Sequence, residues 1–366
     1  MQNSKNFSGK KILITGHTGF KGTWLSIWLK QLGANVHGVS FNIPSNPSHF
    51  TATNLSTKIE DHRLDVRDGK SITALVKKIQ PDFVFHLAAQ ALVRPSYESP
   101  IETITTNAIG TANVLDALRD LNKPVVAIMI TSDKAYDNVE WVWGYRETDR
   151  LGGKDPYSAS KGMAELVIRT YVESFFNSKD SNVRVGITRA GNVIGGGDWA
   201  TDRIVPDCMQ AWSLSKTVDI RSPNATRPWQ HVLEPLSGYL TLAISLSQNS
   251  KYHGEAYNFG PSSNQNYPVS ELIDEMAKYW DSVRWNDISE SQGLVHEASL
   301  LKLNCDKALF DLQWQPTMQF SDTVKMTVEW YKHYYQNTNQ SMYDLTISQI
   351  DEYTKLSKAK YNGWSY

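Results

Sequence analysis

The sequence predicts an α/β protein: a Rossmann-type, doubly wound parallel sheet that carries a smaller C-terminal α/β lobe. Three observations predict it. Short apolar runs alternate with helical patterns through the first half of the chain. A glycine-rich turn stands between the first apolar run and the first helix. Beyond residue 190 the alternation gives way to loop-rich sequence with frequent tryptophan.

The elements follow in order. Lys11-Ile12-Leu13-Ile14-Thr15 is an apolar run ending at Gly16, the pattern of a strand buried on both faces. Trp24, Ile27, Trp28 and Leu32 are spaced as one face of a helix, which Gly33 ends. Strands are expected over residues 35–41 and 59–66, and an amphipathic helix over 71–79, stopping before Pro81. The run 82–87 is a further strand, and 106–121, 125–131, 157–175 and 183–188 read as helix, strand, helix and strand. Later helices are expected at 269–280 and 321–335. An amphipathic stretch within 341–366 should dock on the body or on a partner subunit. The expected division is residues 1–190 for the first lobe, which also takes back 232–258, and 191–366 mainly for the second.

Composition narrows the function classes. At 366 residues and 40% hydrophobic, the chain can bury a core without disulfides. A net charge of −1, with no block of like charge, argues against nucleic-acid and membrane-surface partners. No apolar run reaches membrane-spanning length and no signal peptide precedes the first strand, so a cytoplasmic protein is expected. Cys208 and Cys305 stand in no metal or redox pattern and are expected as small buried hydrophobes; no metal site is expected.

Gly16-His17-Thr18-Gly19-Phe20-Lys21-Gly22 has the spacing G-x-x-G-x-x-G between strand and helix. Glycine lets the backbone approach a pyrophosphate, and the helix N-terminus faces the negative charge. The acid often found at the end of the second strand is missing; Ser40 stands there, and Asp65-Val66 lies further on, where an adenine would be held. His86, before Ala88-Ala89, reads as a core histidine.

Tyr157 and Lys161 are four residues apart on a predicted helix and so share a face. A lysine beside a tyrosine favours the phenolate, which takes a hydroxyl proton as the adjacent carbon yields hydride to a nicotinamide. The run Thr131-Ser132-Asp133-Lys134 ends the preceding strand, at the sheet edge where ligands bind.

These residues, with Leu87-Ala88-Ala89-Gln90 and Asn107, resemble the extended short-chain dehydrogenase/reductase family. Longer runs resemble its sugar-nucleotide 4,6-dehydratases, in particular the CDP-glucose branch: Gly16 to Leu25, Ser132 to Tyr136, Gly152 to Ser158, Arg189 to Trp199 and Arg227 to Pro235. The resemblance implies a tightly bound NAD, CDP-glucose as substrate and a homodimer or homotetramer. It implies that Ser132 hydrogen-bonds the reacting sugar oxygen and that Asn107 supports the active-site helix. Asp133 and Lys134 become the additional proton-transfer groups of a dehydration. The glycine loop, Ser40, Asp65, Val66, residues 87–90, Asn107, Tyr157 and Lys161 become the cofactor set. A substrate diphosphate should draw arginines, and Arg94, Asn192, Arg203, Arg221, Arg227 and His296 are the candidates. Trp199 and Trp229 read as core before stacking platforms. Other readings stay open: a UDP-N-acetylglucosamine dehydratase or an epimerase of the same family, or a non-catalytic NAD-sensing module.

Overall fold

The computed structural model describes residues 2–178, 180–289, 300–336 and 340–360. Its centre is a seven-stranded sheet in which every neighbouring pair is parallel. We number its strands β1 (Lys11–Thr15), β2 (Asn35–Ser40), β3 (Glu60–Arg63), β4 (Phe83–His86), β5 (Val125–Ile130), β6 (Val183–Arg189) and β7 (Ala256–Asn258). The spatial order is β7-β6-β5-β4-β1-β2-β3. The order therefore reverses between β1 and β4, which opens a crevice at their C-terminal ends.

The apolar runs bury both faces, and alternate residues serve each. Ile12, Ile14, Phe83, Phe85, Ile128 and Ile130 pack with helices α1 (Phe20–Gln31) and α5 (Leu233–Gln248). Leu13, Val84, Ala127, Met129 and Val185 pack on the other face with α2 (Gly69–Ile79), α3 (Gly110–Arg119) and α4 (Pro156–Tyr171).

The helix expected from residue 106 begins earlier. A short helix, Pro100–Ile104, passes through a π-helical turn, Thr105–Ile109, into α3. The wider turn carries Asn107, and such turns recur at functional sites. The helix expected over 157–175 likewise ends in a π-helical turn, Val172–Phe176.

The loop-rich half is built from three two-stranded pairs, helices and aromatic packing. Trp24, His49, Trp199, Trp330, Tyr331 and Tyr334 meet edge-on or stacked around α6 (Phe320–Tyr335). Trp199 is thus a core residue, and its indole N–H donates to Tyr335 at 3.1 Å. Gly196 is forced by this packing, because a Cβ there would lie 2.0 Å from the Trp330 ring.

The C-terminal stretch forms α7 (Met342–Ala359), capped by Ser341, and it docks on the body. Tyr353 sets its edge against Trp28 of α1 and donates its hydroxyl to Glu234 Oε2 at 2.8 Å. Cys208 is buried and Cys305 partly buried, both unpaired by disulfide. Among the described residues no helix is long and apolar enough to cross a membrane.

Candidate active site

The crevice is floored by the glycine loop. Gly16 adopts φ +78°, and a Cβ there would fall 2.7 Å from the backbone nitrogen of Ala88. At Gly22 a Cβ would fall 2.1 Å from Gly16 O, so the turn closes only without side chains. Helix α1 starts at Phe20 with no side-chain cap and no acid in its first turn. Its free N–H groups and positive end suit a pyrophosphate, so this cradle fits the dinucleotide that the sequence anticipates.

The side chains of three expected cofactor residues, His17, Ser40 and Asp65, form bonds within the protein. The His17 side chain is fully buried, not turned toward a ligand. Its Nε2 meets Asp61 Oδ1 at 2.9 Å, its Nδ1 meets Ser40 Oγ at 3.0 Å, and burial lowers its pKa. Gly38 makes room for the ring, since a Cβ there would lie 2.3 Å from it. Ser40 Oγ also accepts from Thr18 N at 3.3 Å, so it braces the loop. Asp65 is held by Arg67, whose Nη2 lies 2.6 Å away, and this pairing lowers the carboxyl pKa. Val66 is buried beneath Gly110. His86 is a core histidine, bonded to Thr15 Oγ1 at 2.7 Å and Thr111 Oγ1 at 3.0 Å.

After β4, residues Leu87 to Gln90 line the path to the catalytic helix. Leu87 N donates to Thr15 O, and Ala88 N to Thr15 Oγ1; Ala89 follows, half-buried. Asn107 bridges outward from its π-turn: Oδ1 accepts from Gln90 N at 2.8 Å, and Nδ2 donates to Gln90 O and to Ser160 Oγ at 2.8 Å. Ser160 in turn donates to Tyr157 O at 2.6 Å. Asn107 therefore ties the strand-end loop to α4.

Asp155 begins α4 by accepting from Ser158 N at 2.9 Å, with Pro156 in the first turn. That start places Tyr157 at the crevice and Lys161 one turn further in, both buried. The Tyr157 phenol is hydrogen-bonded with Ser132, and burial pushes its pKa up to about 12. Burial drives the Lys161 pKa down to about 8, against the pull of Glu165. Burial is the larger influence on the phenol, and the Ser132 hydrogen bond and Arg203 pull its pKa the other way.

Ser132 Oγ donates to Asp133 Oδ1 at 2.9 Å and accepts from Lys134 N at 3.2 Å. Asp133 is buried against Gly191, where a Cβ would lie 2.1 Å from its Oδ2. Lys134 is half-buried beside it. Lys21 reaches this group from the loop. Burial, with Arg203 and Lys161 nearby, brings its pKa down to about 8, while Asp133 and Asp198 pull the other way.

Of the candidate substrate residues, Arg203 joins this cluster, paired with Asp198 Oδ2 at 2.6 Å. Arg94 and Arg221 both meet Asp202. Arg227 sits on a short strand, Thr226–Arg227, pairing with Tyr267–Pro268. Asn192 has φ +53°, and its carbonyl accepts from Gln230 N at 3.1 Å. Trp229 is buried and donates to Tyr267 O. His296 lies outside the described residues.

Sequence reasoning missed a buried network behind Ser132 and Tyr157. Arg189 donates to both oxygens of Glu165, at 2.7 and 3.0 Å, with both side chains fully buried. Glu165 also accepts from Thr131 Oγ1 at 2.6 Å, and Arg189 donates to Tyr136 OH at 2.7 Å. Tyr136 OH donates to Asn258 Oδ1 at 2.8 Å. Residues 131 and 136 flank the Ser132-Asp133-Lys134 triplet, so one ion pair anchors it from both sides.

A dinucleotide cradle, a tyrosine–lysine helix and a serine at the adjacent strand end define an NAD-binding enzyme of the extended short-chain dehydrogenase/reductase class. Comparison with known proteins refines this. The family model for GDP-mannose 4,6 dehydratase matches residues 13–327. The chain belongs to this family, the NAD-dependent sugar-nucleotide 4,6-dehydratases, which are hydro-lyases. A relative named CDP-glucose 4,6-dehydratase, from Salmonella typhimurium, is 45% identical over 90% of this chain and 92% of its own. A GDP-mannose 4,6-dehydratase of Vibrio cholerae is 30% identical over 86% of this chain and 81% of its own. Among solved structures, the UDP-glucuronic acid 4-epimerase of Bacillus cereus, in complex with UDP-glucuronic acid and NAD, superposes with a TM-score of 0.74. It is 22% identical, covering 89% of this chain and 100% of that one, and the likeness is one of fold.

Proposed function

We propose that this chain converts CDP-glucose to CDP-4-keto-6-deoxyglucose by oxidation at C4, loss of water across C5 and C6, and reduction at C6. The reading is carried by the Ser132-Asp133-Lys134 triplet beside Tyr157, in a chain 45% identical to a CDP-glucose dehydratase. A plain epimerase has no need of two further proton-transfer groups.

NAD, when bound, supplies the acceptor for the C4 hydride and gives it back at C6. The glycine loop and the α1 N-terminus would hold its pyrophosphate. Tyr157 takes the proton of the C4 hydroxyl, and Ser132 hydrogen-bonds the same oxygen. To accept that proton the phenol must first give its own to solvent; burial opposes this, while the Ser132 hydrogen bond and the Arg203 charge favour it. With the C4 ketone formed, the C5 proton is acidic. Lys134 removes that proton, and Asp133 donates one to the departing C6 hydroxyl. Water leaves, and as hydride adds at C6 Lys134 returns its proton to C5.

In this reading residues 1–190 with 232–258 form the NAD lobe, and the rest of 191–366 the sugar-nucleotide lobe. The protein is cytoplasmic. Two copies pair through the 100–119 and 156–176 helices, whose Ile101, Ile109, Leu166 and Phe175 are exposed. Sedimentation would find a monomer if this pairing is wrong.

The decisive experiment offers CDP-, UDP-, dTDP- and GDP-hexoses, and CDP-glucose deuterated at C4. We expect a keto-deoxy product from CDP-glucose alone, with deuterium at C6. Preference for another base overturns the substrate; deuterium in free NADH overturns the dehydration.

A further inference from the structure

The segment 198–203 runs beside the reacting groups. Its Arg203 interacts electrostatically with both Tyr157 and Lys21. The neighbouring Asp202 takes left-handed backbone, φ +60°. Its Oδ1 accepts from Arg94 Nη1 at 2.9 Å and from Arg221 Nη2 at 2.9 Å. The two arginines come from distant parts of the chain. Arg94 lies on the helix Val93–Glu98 after β4, and Arg221 directly follows the strand Val218–Ile220.

We propose that Asp202 is a resident counter-anion of the substrate cleft, holding Arg94 and Arg221 on the spot that the diphosphate of the sugar nucleotide takes over. The proposal rests on the reading of these two arginines as diphosphate ligands. A single carboxylate oxygen shared by two guanidinium groups leaves most of their donors unused. Arg94 is 57% exposed and Arg221 and Asp202 are each 39% exposed, so both pairs are screened and weak. A diphosphate brings more acceptors and more charge, and it matches two forked donors better than one carboxylate does. Asp202 therefore keeps the arginines gathered before substrate enters and yields them when it does. Each binding event carries the cost of displacing it, so Asp202 weakens the grip on substrate and eases departure of product.

The test is calorimetric titration of the NAD-loaded enzyme with CDP. Asp202→Asn and Asp202→Ser should both tighten CDP binding about fivefold, the upper range for exposed ion pairs. In an Arg94→Met, Arg221→Met background the same substitutions should change nothing. If Asp202 instead organises the arginines for ligand, both variants will weaken binding, and that overturns the proposal. Unchanged binding in the wild-type background does so too. The underlying reading fails separately: Arg94→Met with Arg221→Met would leave CDP affinity intact, or wild-type enzyme would not bind CDP.

Discussion

The floor behind Tyr157 and the mouth of the cleft hold their charges in opposite ways. Behind Tyr157, Glu165 and Arg189 are fully buried, and both carboxylate oxygens are satisfied by Arg189. At the mouth, Arg94 and Arg221 share one oxygen of an exposed aspartate. Desolvation explains the difference. A buried charge without a full set of partners costs several kcal/mol, so the interior network is complete and has one arrangement. An exposed charge costs little to leave half-paired, so the mouth can trade partners. The interior network anchors the strand end that carries Ser132; on the proposal above, the mouth is where anions exchange.

The largest effect should come from Tyr157, which the proposed mechanism places on the sugar hydroxyl. On the proposed mechanism Tyr157→Phe removes the group that accepts the C4 hydroxyl proton, and turnover should fall by about a thousandfold. The fold should be untouched, because the phenyl ring keeps its packing. Single-turnover absorbance of reduced cofactor measures the step directly. Turnover near the wild-type rate would detach Tyr157 from the chemistry.

Next is the network itself. Glu165→Ala leaves Arg189 charged and unpaired in the interior, which should cost about 3–5 kcal/mol of stability. Glu165→Met with Arg189→Met removes both charges and should recover most of that loss. Urea titration separates the two outcomes. A single variant as stable as wild type would mean that water reaches Arg189, and the contrast drawn above would fail.

A third prediction concerns pH. Glu234 is buried, accepting from Thr317 N at 2.9 Å, Met318 N at 2.6 Å and the Tyr353 hydroxyl. Burial pushes its pKa up to about 7. The folded state therefore holds a proton that the unfolded chain has already lost above the ordinary glutamate range. Between about pH 4.5 and pH 7 this group makes stability fall as pH rises, by roughly 3 kcal/mol, and above that window the loss is constant. Glu234→Gln cannot titrate, so its melting temperature should lack this slope. An identical slope in the variant would assign the effect to other groups.

Local patterns were legible in the sequence and assembled ones were not. The β1 run, the glycine loop and the Tyr157–Lys161 pair depend on neighbours a few residues apart, where spacing dictates geometry. His86 and Trp199 were read as core, and both are. The Glu165–Arg189 network joins positions 131, 136, 165, 189 and 258, which only the sheet order brings together. Two signals were present. Glu165 is one helical turn beyond Lys161, and Arg189 ends the otherwise mostly apolar strand β6. The inward bonding of the His17 and Ser40 side chains was not read either, because it joins the glycine loop to strands β2 and β3. The missing side chain of Gly38 was the clue that the imidazole turns inward.

The smallest effect, and the sharpest test of how the cleft handles anions, is the choice of NAD over NADP. The extra phosphate of NADP would sit near the end of β2. No lysine or arginine occurs between Lys30 and Lys58, so β2 offers no cation to receive it. Two arginines are close in the structure, but each is already matched. Arg63 Nη2 meets Asp61 Oδ2 at 2.7 Å, and Arg67 meets Asp65 at 2.6 Å. Lys21 belongs to the other end of the cleft, in the charge cluster with Lys161, Arg203 and Asp133. No acid lies on β2 to repel a phosphate either, so discrimination rests on missing compensation alone and should be modest. We expect NADP to bind cofactor-stripped enzyme about tenfold more weakly than NAD, ~1.4 kcal/mol. Equal or tighter NADP binding would mean that Arg67 is drawn from Asp65 to the extra phosphate. Arg67→Met would then abolish the NADP affinity while sparing that for NAD.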